Sequence, residues 1–598
     1  MESKVLKKRG EIQEKDKWAV NEIYSCDEEW ERDYKELQEE APKLKDFEGK
    51  LGDAKVLEEY FEVNEKTSRK AEKIYVYAHL RSDEDTSNTT YQAMMNKIDA
   101  YMAEYATYTA YVVPEILALP DGTIEKLMNE NKGLEPYKFL IENILKEKPH
   151  VLDKKEEELL AAASDCLDAP SSIHNIMTNA DMKFGNIKDE DGEEVELTEG
   201  NYSSFIKSKD RNVRKAAFER LFGEYKSFEN TLATTLSSSI KVFNFGAKIR
   251  NYNSALEASL KPNDIPTEVY TNAVKTINDN LSSLHRYVKL KKKLLGLEEM
   301  HMYDLYVPVI EVPKERVEFD KAVEMAVEGL NPLGKEYLDI FQGGINGGWI
   351  DKYINKGKRG GAYSWGGYDT KPYVLLNYNY ELNDVSTLVH EMGHSIHSYY
   401  SRKEQSYYYA GYTLFCAEVA STTNEALLIH HLINKETDKK KKLYLINQEL
   451  EQIRTTVFRQ LMFAEFELYT HESFEKGLPL TAQDYNAKWH ELNVKYFGPD
   501  MVVDSDIDVE WSRIPHFYSD FYVYQYATGY AAASAFANSI LNGEKDAVEK
   551  YVGFLKSGGS DYPIEILKKA GVDMTTSKPL EATINRFNEL LDMLEKEI

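Results

Sequence analysis

Residues 385–400 read "VSTLVHEMGHSIHSYY" and place His390, Glu391, His394 and His397 within eight positions. On a helix, residues four apart lie on one face, separated by about 6 Å along the axis. His390 and His394 can therefore reach one metal ion from the same side. Glu391 lies beside that face, where a carboxylate can take a proton from a water molecule. His397 follows His394 by three residues and falls about 10 Å along the axis from His390. One ion with ligand distances near ~2 Å cannot hold all three imidazoles of a straight helix. His397 is therefore read as a packing residue or as support for a ligand.

The third ligand defines the subclass. One zincin pattern continues as H-E-x-x-H-x-x-G-x-x-H. Position 397 is His and position 400 is Tyr, which excludes it. The other route is a carboxylate from a following helix. "FCAEVASTTNEALLIHHL", residues 415–432, supplies Glu418, 24 residues after His394. Glu425 lies two turns further on the same face, placed to steady a ligand imidazole or to remain a solvated charge. Cys416 is a conceivable thiolate ligand, but two imidazoles and a carboxylate suit hydrolysis better, so it is read as packing. The donor set favours zinc over a hard cation.

Several elements must position these side chains. "KPYVLLNYNY", residues 371–380, has the β-branched and aromatic content of a strand. It is read as a candidate for binding an extended peptide through its main chain. Before it, residues 343–369 are glycine-dense and contain no phosphate-binding pattern; they are read as a surface loop or a flap close to a ligand. "MKFGNIKDEDGEEVELT", around residues 182–198, reads as a β-hairpin with Asp191-Gly192 at the turn. Residues 65–110 and 202–250 read as helical hairpins. Near the C-terminus, Leu580, Ile584, Phe587, Leu591 and Leu594 form an apolar stripe at helical spacing.

Composition narrows the class. The chain has 598 residues, a formal net charge of -27 and 42% apolar residues. This is the composition of a globular protein. The acidity argues against a nucleic-acid backbone or an anionic membrane as partner. No run approaches the roughly 18 apolar residues of a membrane span. The first twenty residues carry no apolar segment of the signal-peptide kind. Cys26, Cys166 and Cys416 are odd in number and widely separated, as free thiols are in a reducing compartment. The expectation is a cytoplasmic protein.

The chain also resembles a known family. "HEMGHSIH" followed by "FCAEVASTTNE" is similar to the thimet-oligopeptidase-like (M3) zinc metallopeptidases, and to their oligoendopeptidase F group in particular. "NYNSALEASLKPNDIP", "MYDLYVPV", "GKRGGAYSWG", "IPHFYSDFYVYQYATG" and "FLKSGGSDYPIEILKKAGVDM" extend the resemblance over about residues 200–590.

The resemblance implies a mainly α fold: a two-lobed prolate helical body with a deep central channel and a small β-sheet beside the zinc helix. It implies an N-terminal helical region over 1–200 and a catalytic domain over 201–598. One zinc ion per chain would be held by His390, His394 and Glu418, with Glu391 as general base. The downstream block carries a histidine and tyrosines that face the substrate carbonyl, here His516, Tyr522 and Tyr526, with Tyr530 as a further candidate. Thimet-type members place the first tyrosine five residues after that histidine, where this chain has Phe521. Tyr522 is next along, as in the oligoendopeptidase F group. On spacing alone, Tyr522, Tyr526 and Tyr530 form an i, i+4, i+8 stripe that can equally be core packing.

The activity implied is endopeptidase cleavage of short to medium oligopeptides in a channel that excludes folded proteins. The rivals are a peptidyl-dipeptidase or carboxypeptidase of related fold, for which Lys356, Lys358 and Arg359 offer charge to hold a chain end, and a non-catalytic peptide-binding scaffold. Nothing in the sequence fixes the oligomeric state.

Overall fold

The computed structural model describes residues 6–310 and 315–597. Helices dominate, and the seven strands among the described residues are only two or three residues long. This is the mainly α class expected. The chain forms two compact units, each assembled from three stretches. One comprises Met1–Lys148, Lys314–His431 and Phe536–Gly571; the other comprises Pro149–Pro313, Leu432–Ala535 and Val572–Ile598. No described helix is long and apolar enough to cross a membrane.

The first unit contains the H-E-x-x-H helix. Its N-terminal helices Asp27–Glu40, Ala54–Glu84 and Thr89–Thr109 bury an aromatic-rich core. Trp30 stacks on Tyr34, and the Trp30 indole donates to the Ile74 carbonyl at 2.8 Å. The glycine-dense segment is more ordered than a loop. It includes the end of helix Gly334–Asn346 and strands Ile350–Asp351 and Tyr363–Trp365.

Those two strands flank Tyr373–Leu375 in a three-stranded sheet, paired parallel to 350–351 and antiparallel to 363–365. The reading of 371–380 as a peptide-binding strand is therefore corrected. Tyr373, Val374 and Leu375 are buried, and the strand is bonded on both sides. The edge strand beside the H-E-x-x-H helix is Tyr363–Trp365, where Ser364 Oγ lies 2.8 Å from Ser395 Oγ of that helix.

Lys358 braces this sheet. Its ammonium donates to the carbonyls of Asp351, Tyr353 and Leu376 at 3.1, 2.8 and 2.6 Å and pairs with the Asp351 carboxylate at 2.7 Å. Arg9 pairs with Asp351 and Glu84.

The second unit is built from helices including Arg211–Ser227, Glu229–Ile249, Thr267–Asp279, Leu281–Leu294, Arg459–Glu475 and Ala482–Phe497. Its C-terminal helix Lys578–Glu597 buries Leu580, Ile584, Phe587, Leu591 and Leu594, as their spacing predicts. The hairpin is also present but shorter, with Asn186–Lys188 pairing antiparallel to Glu194–Glu196. Gly192 at the turn takes φ 81°, a conformation that glycine adopts at little cost.

Candidate active site

Helix Leu382–Glu404 carries His390, Glu391 and His394. It starts in a capping arrangement in which the Asp384 carboxylate accepts the backbone N–H groups of Asn379 and Glu381 at 2.9 and 2.8 Å. The return helix Leu414–Lys435 carries Glu418 and Glu425. Gly393, between the two histidines, lets these helices approach closely. A Cβ there would stand 2.7 Å from Ser421 Cα and 3.0 Å from the Ala420 carbonyl oxygen. Asn424 then ties the helices together. Its amide donates to the Val389 carbonyl at 3.0 Å and its oxygen accepts the Tyr337 hydroxyl at 2.8 Å.

This packing brings His390, His394 and Glu418 together, with one potential ligand atom from each inside a 4.8 Å cluster. His390 Nε2 and His394 Nε2 are 3.2 Å apart, and Glu418 Oε2 lies 3.5 and 3.6 Å from them. A tetrahedral site with ligand distances of about 2.0–2.1 Å has edges of about 3.3–3.4 Å. The three donors thus match the dimensions of one metal ion.

The two imidazoles differ in their preference for charge. Burial, then the neighbouring His390, pushes His394 down to about 4. Burial also opposes charge on His390, but the Glu425 hydrogen bond and the charges of Glu425, Glu391 and Glu418 outweigh it and raise that ring to about 9. Near neutral pH His390 therefore favours the charged form and His394 the neutral one.

The neighbours restrain these groups. Glu425 Oε2 lies 3.4 Å from His390 Nδ1, and Ser386 Oγ donates to Glu425 Oε1 at 3.3 Å. Ser421 Oγ donates to Glu418 Oε2 at 3.1 Å. Glu391 is only 8% exposed. Burial pushes its carboxyl up to about 7, with Glu418 and Glu425 adding to the effect and His390 opposing it. A carboxyl in that range can both accept and return a proton near neutral pH.

His397 is separate from the cluster. It stacks on Tyr412 at 3.8 Å between ring centroids and is pushed down to about 3 by burial. Cys416 is buried, and its thiol is pushed up to about 12, which disfavours a thiolate.

In the second unit, His516, Tyr522 and Tyr526 converge. Tyr526 Oη lies 3.5 Å from both His516 Nε2 and Tyr522 Oη, and the His516 and Tyr522 ring centroids are 5.8 Å apart. Burial lowers the His516 pKa, favouring the neutral ring. The helical stripe drawn through these tyrosines begins too early, because the helix starts at Tyr524 and Tyr522 precedes it. Tyr530, further into the helix, is buried at 7% exposure.

The sequence reading passed over Gly393, Asn424, Ser386 and Ser421. Gly393 carried a signal, since a glycine inside an otherwise apolar-faced helix marks close packing. The three polar residues look like ordinary helix surface until the partner helix is in place.

The family models decide the affiliation. The model described as Peptidase family M3 matches residues 204–586, and the one described as Oligopeptidase F matches residues 115–184. The chain belongs to peptidase family M3. It is a metallopeptidase of the oligoendopeptidase F type, as expected from its motifs.

A relative, oligopeptidase PepF of Bacillus subtilis, is 48% identical over 592 residues, spanning 99% of this chain and 88% of its own. The crystal structure of oligoendopeptidase-F from Enterococcus faecium is 41% identical, with a TM-score of 0.73 over 96% of this chain and 99% of that one. A crystal structure of a protein from Chlamydophila abortus is 37% identical, with a TM-score of 0.95 over 99% and 100% of the two chains.

Proposed function

We propose that the protein is a zinc-dependent cytoplasmic endopeptidase that cuts internal bonds of short to medium oligopeptides and spares folded proteins. The observation that carries this reading is the triangle of His390, His394 and Glu418 donors with Glu391 beside it. Two imidazoles and one carboxylate form the donor set of hydrolytic zinc sites that leave a position open. One ion per chain matches the single cluster found among the described residues. Bound there, zinc supplies Lewis acidity towards water and towards a peptide carbonyl.

The chain's own residues do the rest. Glu391 takes the proton of the attacking water and returns it to the leaving amine, so that acid and base work fall to one carboxyl. Glu425 holds His390 by its Nδ1 side and keeps Nε2 directed at the ligand position. His516 and Tyr522, with Tyr526, are assigned to the oxygen of the scissile carbonyl. Each donor aimed at the charge developing there is worth about 3 kcal/mol at sites of this kind. Their convergence in space and the resemblance of their segment to the family's downstream block support that role. Tyr530 is assigned to substrate contact on the resemblance alone. The region 1–200 is read as a helical N-terminal part and 201–598 as the catalytic domain.

One observation weighs against the exopeptidase reading. Lys358, a candidate for holding a chain end, is wholly occupied by Asp351 and three carbonyls, and Arg359 pairs with Asp83 at 2.7 Å. A pure binding scaffold would have no need of Glu391.

The test uses peptides of graded length, blocked at both ends, incubated with and without a chelator and read by mass spectrometry. Internal cuts that vanish with the chelator and return with zinc support the proposal. Cutting that requires a free terminus would establish the exopeptidase alternative.

A further inference from the structure

Phe521 takes φ 58°, a left-handed conformation that is a true outlier for a bulky side chain. Among the described residues, three of the other four non-glycine positions at positive φ are Asn or Asp, which tolerate it. Phe521 is buried at 1% exposure, and its chain neighbour is Tyr522. Backbone strain persists where the surroundings over-determine it, and it concentrates where geometry matters to function.

The surroundings here are specific. Helix Arg459–Glu475 carries Glu467 and His471, four residues apart and so on one face. The backbone N–H of Phe521 donates to Glu467 Oε1 at 2.7 Å. His471 Nε2 lies 3.2 Å from Asp520 Oδ1, one residue earlier. His471 is held on its other side, since Asn244 Nδ2 donates to the His471 carbonyl at 3.1 Å and Asn244 Oδ1 lies 2.8 Å from His471 Nδ1. Ser259 Oγ donates to the Asp520 carbonyl at 3.0 Å. The Phe521 ring packs against His471 and Tyr270, with centroids 4.5 and 5.6 Å away.

The Asp520 carbonyl and the Phe521 N–H are therefore both held by hydrogen bonds, with the Asp520 carboxylate beside His471, immediately before the tyrosine that completes the His516–Tyr522–Tyr526 cluster. Burial pushes the Glu467 carboxyl well above the usual carboxylate range, with the Phe521 N–H opposing the shift and the charge of Asp520 adding to it. An isosteric amide can replace it as acceptor.

We propose that Glu467 and His471 are positioning residues that lock the left-handed turn at Asp520–Phe521 and thereby fix where Tyr522 presents its hydroxyl to the substrate. The inference rests on the assignment of Tyr522 to the carbonyl oxygen. It predicts an effect on turnover transmitted through Tyr522, which general loss of stability would not produce.

The test is a kinetic double-mutant cycle with the full chain and a doubly blocked peptide, with melting temperatures recorded for every variant. Glu467→Leu, which leaves the Phe521 N–H without its acceptor, is expected to lower kcat about tenfold or more with KM within about twofold. Glu467→Gln is expected to restore kcat to within about threefold of the parent, since it keeps the acceptor. Ser259→Ala, a milder change, is expected to lower kcat about two- to fivefold. In a Tyr522→Phe background, neither Glu467→Leu nor Ser259→Ala should lower kcat further.

The proposal is overturned if either change costs the same factor in both backgrounds, or if Glu467→Gln falls as far as Glu467→Leu. Should Glu467→Leu not fold, Ser259→Ala decides, and an unchanged kcat would overturn the proposal. If Tyr522→Phe alone leaves kcat intact, the assignment of Tyr522 fails first and the positioning role with it. That result is distinct from additive losses, which sink the positioning role alone.

Discussion

Gly393 and Ser421 stand backbone to backbone, so close that a Cβ on Gly393 would lie 2.7 Å from Ser421 Cα. This contact sets the separation of the two helices that supply the candidate metal ligands. A Gly393→Ala change must push the helices apart or twist one of them, and backbone cannot yield as a side-chain tip can. We expect the variant to bind zinc about tenfold or more weakly, because ligand distances tolerate deviations of only about 0.2 Å. Titration against a chelator of known affinity measures this. Unchanged affinity would mean that the helix spacing is not what holds the ligands.

Glu425 tests the support of a ligand from behind. Its carboxylate is 3.4 Å from His390 Nδ1 and is itself approached by Ser386. Replacing such a partner typically costs about 10–100-fold in metal affinity or activity. Glu425→Ala should therefore weaken zinc retention by that order, while Glu425→Gln, which keeps an acceptor oxygen, should lose less. Zinc content after dialysis, compared across the two variants, reads the difference.

A third prediction concerns stability and pH. In the second unit, Glu451 lies 2.9 Å from Lys291 and 2.7 Å from Arg454, and both cations are 1% exposed. Burial alone would raise the Glu451 pKa, but Arg454 and Lys291 pull it far below the usual carboxylate range. Its stabilising contribution is thus fully present above the ordinary glutamate value of about 4.3. It is lost progressively as pH falls below that value towards the depressed folded pKa. Glu451→Gln leaves two buried cations without their anion, which costs about 3–5 kcal/mol. Denaturant melts should show a large loss for this variant at pH 7, narrowing as the pH drops below about 4. An equal loss at both pH values would contradict the ion-pair account.

Much of the site was legible before the fold was. The spacing of His390, Glu391 and His394 specifies a helix face, and Glu418 follows at the distance that a loop and a returning helix require. The turn at Asp191-Gly192 and the stripe from Leu580 to Leu594 are local patterns, and local patterns survive folding. What escaped depends on partners far away in the chain. Tyr373–Leu375 reads as any apolar strand, and only its two neighbours make it central. Lys358 reads as a free charge until Asp351 and three carbonyls surround it. Tyr522 looks like the first member of a helical stripe. The left-handed turn at Phe521, which delays the helix to Tyr524, has no glycine or asparagine to announce it. The two units each gather three separate stretches of chain, which no window of sequence displays.

The central claim is that one zinc ion held by His390, His394 and Glu418 works with Glu391 as the proton carrier. The most direct measurement pairs zinc content with turnover of a doubly blocked peptide for Glu391→Gln beside the parent. The account predicts one zinc per chain in both proteins and a fall in kcat of about 10²–10⁴ in the variant, the range of general acid–base catalysis. Undiminished turnover in Glu391→Gln, or full activity in parent protein stripped of zinc, would contradict it.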